Sequence, residues 1–280
     1  NNTAIGSGVL QANSSGGSCV GVGYQALYNA ISGAHAAVGQ QALYSNTSGT
    51  YSVAVGYQAG YSNTTGGSNV ALGAQALYSN TTTSNSVAIG YQACYSGNQA
   101  NNTAVGYQAL YAGGGGGSVA LGYQALTAEN SSGGSNAALG YQALLANTSG
   151  VNNIAVGRTA LYSNTTGSNN VAVGYQAGLW NTTNSFVTYV GTYAGTNNLG
   201  ANNTALGYGA LTCNASATGA NNTAIGYLAL NLISSGASNV AVGHQALTSN
   251  TSGSYNVALG QQALYANTTA SNNVAVGYQA

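Results

Sequence analysis

Few residues in this 280-residue chain could do acid–base, nucleophilic or metal chemistry: Glu129, Arg158, His35, His244 and the cysteines Cys19, Cys94 and Cys213. General acid–base catalysis needs a carboxylate or imidazole held against a partner. The single Glu stands in a loop beside an Asn-x-Ser/Thr triplet, and the chain has no Asp and no Lys. Phosphate neutralisation needs clustered Lys and Arg, and one Arg cannot supply it. Attraction to anionic lipid is removed for the same reason. The commonest chemical signal is instead the Asn-x-Ser/Thr triplet, the acceptor pattern for N-glycosylation. Eleven triplets occupy polar loops: Asn13, Asn46, Asn63, Asn80, Asn130, Asn147, Asn164, Asn181, Asn214, Asn250 and Asn267. Four more, at Asn1, Asn101, Asn202 and Asn221, open apolar segments. The same residues are also good turn formers, and a repeat copies one triplet many times, so both readings stand.

What positions these groups is a repeat. Glycines at 6, 23, 39, 56, 73, 90 and onward to 277 recur every 16–19 residues, each preceded by an aliphatic residue and followed by Tyr-Gln-Ala-Leu or a variant of it. A fixed period of this size signals a solenoid, in which each repeat is one coil stacked on the last. The spacing predicts an all-β parallel β-solenoid, a β-roll or β-helix, of about 17 coils, roughly 80 Å long at the strand spacing. We read residues 1–280 as one repetitive domain cut from a longer fibre. Coils about 4.8 Å apart put Cys19 and Cys94 roughly 19 Å from each other, beyond disulfide reach. His35 and His244 are about twelve coils apart, so no histidine or metal pair forms within the chain; both read as surface substitutions.

With each glycine numbered zero, the repeats serve as an internal alignment. Slot −1 is always aliphatic and slot −2 is Ala in all coils but two, Gly21 and Tyr189. The Val-Ala-Val alternation has the strand period, and slot −1 reads as core because it admits no polar residue. Tyr-Gln-Ala-Leu-Tyr reads as a second short strand. The Ala rows at −2 and +3 suggest close approach of another copy, and hence trimerisation. Position zero reads as a conformation that glycine alone reaches easily. Slots +2 and −4 are expected to form Gln and Asn ladders, and slots +1 and +5 tyrosine rows. Cys94 takes the Leu slot and reads as a small buried apolar residue. One coil, 178–195, holds Trp180, Phe186 and Tyr189, either a binding patch or a packing repair where Leu is missing at Gly178 and Gly195.

The phrases "NSVAIG" (85–90), "NNTAVG" (101–106) and "NNVAVG" (169–174 and 272–277) resemble the head repeats of trimeric autotransporter adhesins of the YadA type. That resemblance covers nearly the whole chain and implies a left-handed parallel β-roll assembled as a homotrimer. The "GYQAL" phrases are similar to repeats in phage tail-fibre-like and other secreted proteins. Both resemblances imply an extracellular or cell-surface fibre that attaches or scaffolds.

The function expected from the sequence is therefore structural: a stiff filament or adhesin shaft, non-enzymatic, without cofactors other than covalent glycans. Its expected partner is itself, as a homotrimer or end to end, with no nucleic acid and no membrane span. The alternatives are an adhesive module holding carbohydrate or matrix protein through its Tyr rows or Trp180, and an ice-binding solenoid.

Overall fold

The computed structural model describes residues 1–130, 134–213 and 217–280. The described chain is all β, with 17 three-residue strands and parallel pairing between them. Where the repeat suggested one undivided domain, it forms two compact units, Asn1–Asn136 and Ala137–Ala280. The first carries β1 (Thr3–Ile5) to β8 (Val119–Leu121) and the second β9 (Ala137–Leu139) to β17 (Val274–Val276). Each unit is a parallel β-solenoid in which every coil adds one strand. Among them β4 (Val53–Val55), β5 (Val70–Leu72) and β6 (Val87–Ile89) show the register: Val55 pairs with Leu72, and Leu72 with Ile89. The expected in-register stacking is thus present.

The second half of each coil departs from the expected strand. Gln at +2 has φ of 49–57° and Leu at +4 has φ of 47–55°. Left-handed backbone at a residue with a Cβ costs about 1–2 kcal/mol, so something must offset it. Hydrogen bonds between coils do so. The Gln41 amide donates back to the Tyr24 carbonyl at 2.8 Å, and the Leu43 amide donates forward to Ala59 at 2.9 Å. The backbone therefore pairs along the stacking direction in both halves, although only one half has strand dihedrals.

The alternation also decides what faces inward, and it overturns the assignment of the core. Slots −2 and +3, both Ala, are buried together with Leu at +4; Ala54, Ala59 and Leu43 are examples. The large aliphatics at −3 and −1 face outward, with Val53, Val55 and Ile89 still 37–40% exposed. The coil interior is too narrow for two rows of branched side chains, so small residues fill it and the larger ones stand outside. The Ala rows accordingly line each coil's own interior and are not a face for another copy.

Candidate functional site

The interior of each coil is completed by amides. Slot +7 holds Asn46, Asn63, Asn80, Asn147, Asn164, Asn181 and Asn250, all buried. All of these but Asn46 close the bend three residues on, as when Asn63 Nδ2 donates to the Gly66 carbonyl at 2.9 Å and Asn250 to Gly253 at 2.9 Å. Some also bond along the stack: Asn80 Nδ2 to Asn63 Oδ1 at 3.2 Å, and Asn164 to Asn147 at 2.9 Å. A sugar on any of these Nδ2 atoms would have to occupy the interior. The expectation of outward-facing glycans therefore does not hold at these seven positions. Of the other loop triplets, Asn13 and Asn267 are half-buried and Asn130 is exposed. Asn214 lies outside the described residues. Asn101, Asn202 and Asn221 stand exposed at the corner before the strand.

The expected ladders are present where they are described. In the first unit Gln25, Gln41, Gln58, Gln75, Gln92, Gln108 and Gln124 are joined side chain to side chain at 2.9–3.3 Å. In the second, Asn222, Asn239, Asn256 and Asn273 at slot −4 are linked at 3.0–3.1 Å. Slot −4 is buried for most of its length. Such bonds along the stack fix register where ion pairs are lacking.

His35 takes this inner slot and is buried, which corrects its reading as a surface substitution. The Ser52 amide donates to its Nδ1 at 3.4 Å, and its Nε2 lies 3.5 Å from Asn46 Nδ2. Burial lowers its pKa below the usual histidine value, and backbone hydrogen bonds only partly oppose this. The unfolded chain therefore binds a proton more readily between the ordinary value of about 6.5 and the lower folded one. Stability is then full above that range and falls as pH drops through it. Thermal melts should show a lower Tm at pH 5 than at pH 7.5, and His35→Asn, which restores the usual residue of the row, should abolish most of that difference. An unchanged difference in the variant would mean that another group causes it.

Glu129 is also buried, in slot +7, where its Oε1 accepts a hydrogen bond from Asn136 Nδ2. It occupies an amide position and is not a loop carboxylate beside water. Arg158 lies in the outer +1 row, its guanidinium 5.4 Å from the Tyr141 ring centre and 5.9 Å from that of Tyr175. Cys94 and Cys213 are buried, and burial pushes both thiols up to about 12, away from the thiolate form that reacts. Cys19 is buried as well. No group of three or more metal-ligating side chains occurs among the described residues.

The 178–195 coil is divided between inside and outside. Tyr189 is fully buried at slot −2, with its hydroxyl 3.2 Å from Asn198 Oδ1. A Cβ added at Gly195 would meet its ring at 2.6 Å, and one at Gly178 at 3.0 Å. The large ring thus fills the space two absent leucines leave, which is the packing-repair reading. Trp180 and Phe186 remain exposed, at 51% and 63%, so Tyr189 drops out of any binding patch.

Tyrosine rows are the most regular outer feature. At +5, Tyr28, Tyr44, Tyr61, Tyr78, Tyr95 and Tyr111 stack with ring centres 5.0–5.2 Å apart and planes within 15°. Their faces cover one another, so the row offers edges and hydroxyls to a ligand and not the flat faces that sugars stack on. Among the described residues no helix is long and apolar enough to cross a membrane. Compared with family models and with curated proteins, the sequence gives no match.

Proposed function

We propose that the chain is a structural segment of an extracellular fibre that associates with copies of itself through the outward aliphatic rows. The observation carrying this reading is the outward facing of slot −1, aliphatic in every coil, and of the Val and Ile residues at slot −3, which alternate with Thr and Ala. Burying one such side chain removes roughly 60–120 Å² from water at the usual coefficient. Thirteen large aliphatics in the first unit, at about one-third exposure, leave ~250–500 Å². The neighbouring +1 tyrosines, 42–50% exposed at Tyr24, Tyr57, Tyr91, Tyr107 and Tyr123, add a comparable amount. The sum approaches the ~800 Å² per partner of a stable interface, and monomers rarely expose so large an apolar patch. A surface nearly free of charge adds little repulsion against association.

The resemblance of "NSVAIG" and its variants to YadA-type head repeats favours three chains, and the secreted proteins that share "GYQAL" favour an extracellular setting. The role is mechanical: hydrogen bonds run along each stack and no catalytic constellation is called for. An adhesive role keeps one supporting observation, the exposure of Trp180 and Phe186 in one coil.

Analytical ultracentrifugation decides the self-association. The parent chain should sediment as a trimer at micromolar concentration, and Val55→Lys with Ile89→Lys should shift it by at least tenfold toward monomer while the circular dichroism stays unchanged. A parent chain that remains monomeric at 100-fold higher concentration than the assay minimum would overturn the proposal.

A further inference from the structure

The six-membered +5 tyrosine stack has no part in the proposed assembly face, yet it is the longest uninterrupted aromatic array described. We propose that it is a relay for one-electron holes, carrying an oxidising equivalent from ring to ring between Tyr28 and Tyr111. Three observations support this. The five steps are uniform, 5.0–5.2 Å between centres, and nearly parallel, so no gap interrupts orbital overlap. All six rings are half-buried, held against their neighbours with an edge at the surface. In the second unit the same slot reads Leu145, Tyr162, Leu179, Thr196, Thr212, Asn231, Thr248 and Tyr265, so the array is a property of the first unit and not of the repeat.

The chemistry balances with a one-electron oxidant as co-reactant, a metal-polypyridyl(III) ion or an inorganic radical. The first phenol gives one electron to the oxidant and its hydroxyl proton to water, leaving a neutral tyrosyl radical. In each later step the next ring gives up one electron and one proton, and the radical receives both, which restores its phenol. The hole moves one place and nothing else is consumed. Neutral phenols are the resting form: Tyr95 is held above the ordinary tyrosine pKa by desolvation and then by Tyr78, Tyr111 and Tyr91.

The test uses the full chain with Asn29→Cys, next to Tyr28, labelled with a ruthenium polypyridyl. The three native cysteines are buried, so the new thiol takes the label. A flash with a sacrificial acceptor makes Ru(III), and a nitroxide trap followed by peptide mass spectrometry locates the radicals. Adducts are expected along the row as far as Tyr111. Tyr61→Phe keeps the stacked ring but has no phenolic proton to release, so adducts at Tyr78, Tyr95 and Tyr111 should fall at least tenfold while those at Tyr28 and Tyr44 persist. Tyr61→Trp, an oxidisable ring, should restore them. Adducts confined to Tyr28, or a distribution that Tyr61→Phe leaves unchanged, overturn the relay. If Tyr61→Phe fails to fold, Tyr44→Phe makes the same break one place earlier.

Discussion

Gly56→Ala is expected to destabilise the first unit by at least about 4 kcal/mol, a loss large enough to abolish cooperative unfolding there. Gly56 has φ of +138°, outside even the left-handed pocket that Gln and Leu use a few residues later. A residue with a Cβ pays roughly 1–3 kcal/mol for such a backbone. The larger part is steric: the new Cβ would lie 2.6 Å from both the carbon and the oxygen of the Gly73 carbonyl. That carbonyl is backbone and cannot swing aside as a side chain could. Relief requires parting Gly56's coil from the next, which the Gly73 amide ties to the Val55 carbonyl, while Gly56's own coil is held by its amide on the Val38 carbonyl, each 2.8 Å. Gly17→Ala is the control. A Cβ there meets nothing within 4 Å, so its cost should stay within about 0.5 kcal/mol. Guanidinium unfolding followed by circular dichroism separates the two. Equal midpoints would show that the pivot glycines are interchangeable with alanine and that the stacking distance has been misjudged.

That glycine was legible in the sequence, because a position occupied by one residue type in every coil asks for a backbone reason. The register of Val55, Leu72 and Ile89 and the Gln row were legible too, since a strict period stacks like on like. The facing of the strand was not. Val and Ile at −1 look like core by the ordinary rule that apolar residues go inside, and the rule fails because the coil is narrower than a pair of branched side chains. The signal was the size of Ala at −2 and +3, which marks the confined side. The positive φ at Gln41 and Leu43 carries no residue marker at all, since neither type favours it; only the pairing of Leu43 with Ala59 makes it worthwhile. The loop asparagines misled for another reason. Asn63 or Asn164 within Asn-x-Thr matches an acceptor triplet, yet Asn returns at +7 in most coils while the residues just after it vary. That recurrence marked an inward amide. The exchange of Leu at 178 and 195 for the large Tyr189 could be read directly, as missing volume matched by added volume.

Asn80→Asp tests that interior reading most severely, because it changes one atom and almost no volume. Asn80 Nδ2 donates to Asn63 Oδ1 at 3.2 Å and to the Thr83 carbonyl at 3.1 Å, and its Oδ1 accepts from the Thr83 amide at 3.3 Å. An ionised Asp would place an acceptor where a donor is needed, facing two further acceptors, with the side chain cut off from water. An uncompensated charge so placed costs about 3–5 kcal/mol, against about 1–3 kcal/mol for Asn80→Ala, which only leaves partners unsatisfied. The pH dependence separates the two causes. In the folded Asp variant the neutral acid is favoured, so its folded pKa is raised above the unfolded value of about 3.9. The folded state then binds the extra proton between those two values, and stability relative to the parent chain rises as pH falls through that range. The Ala variant should show no such recovery. Urea midpoints at pH 7.5 and pH 4.5 should therefore converge on the parent for Asp and run parallel to it for Ala. An Asp variant as stable as the parent at pH 7.5 would mean that position 80 reaches water, and the interior amide row, with the exclusion of sugar that follows from it, would have to be abandoned.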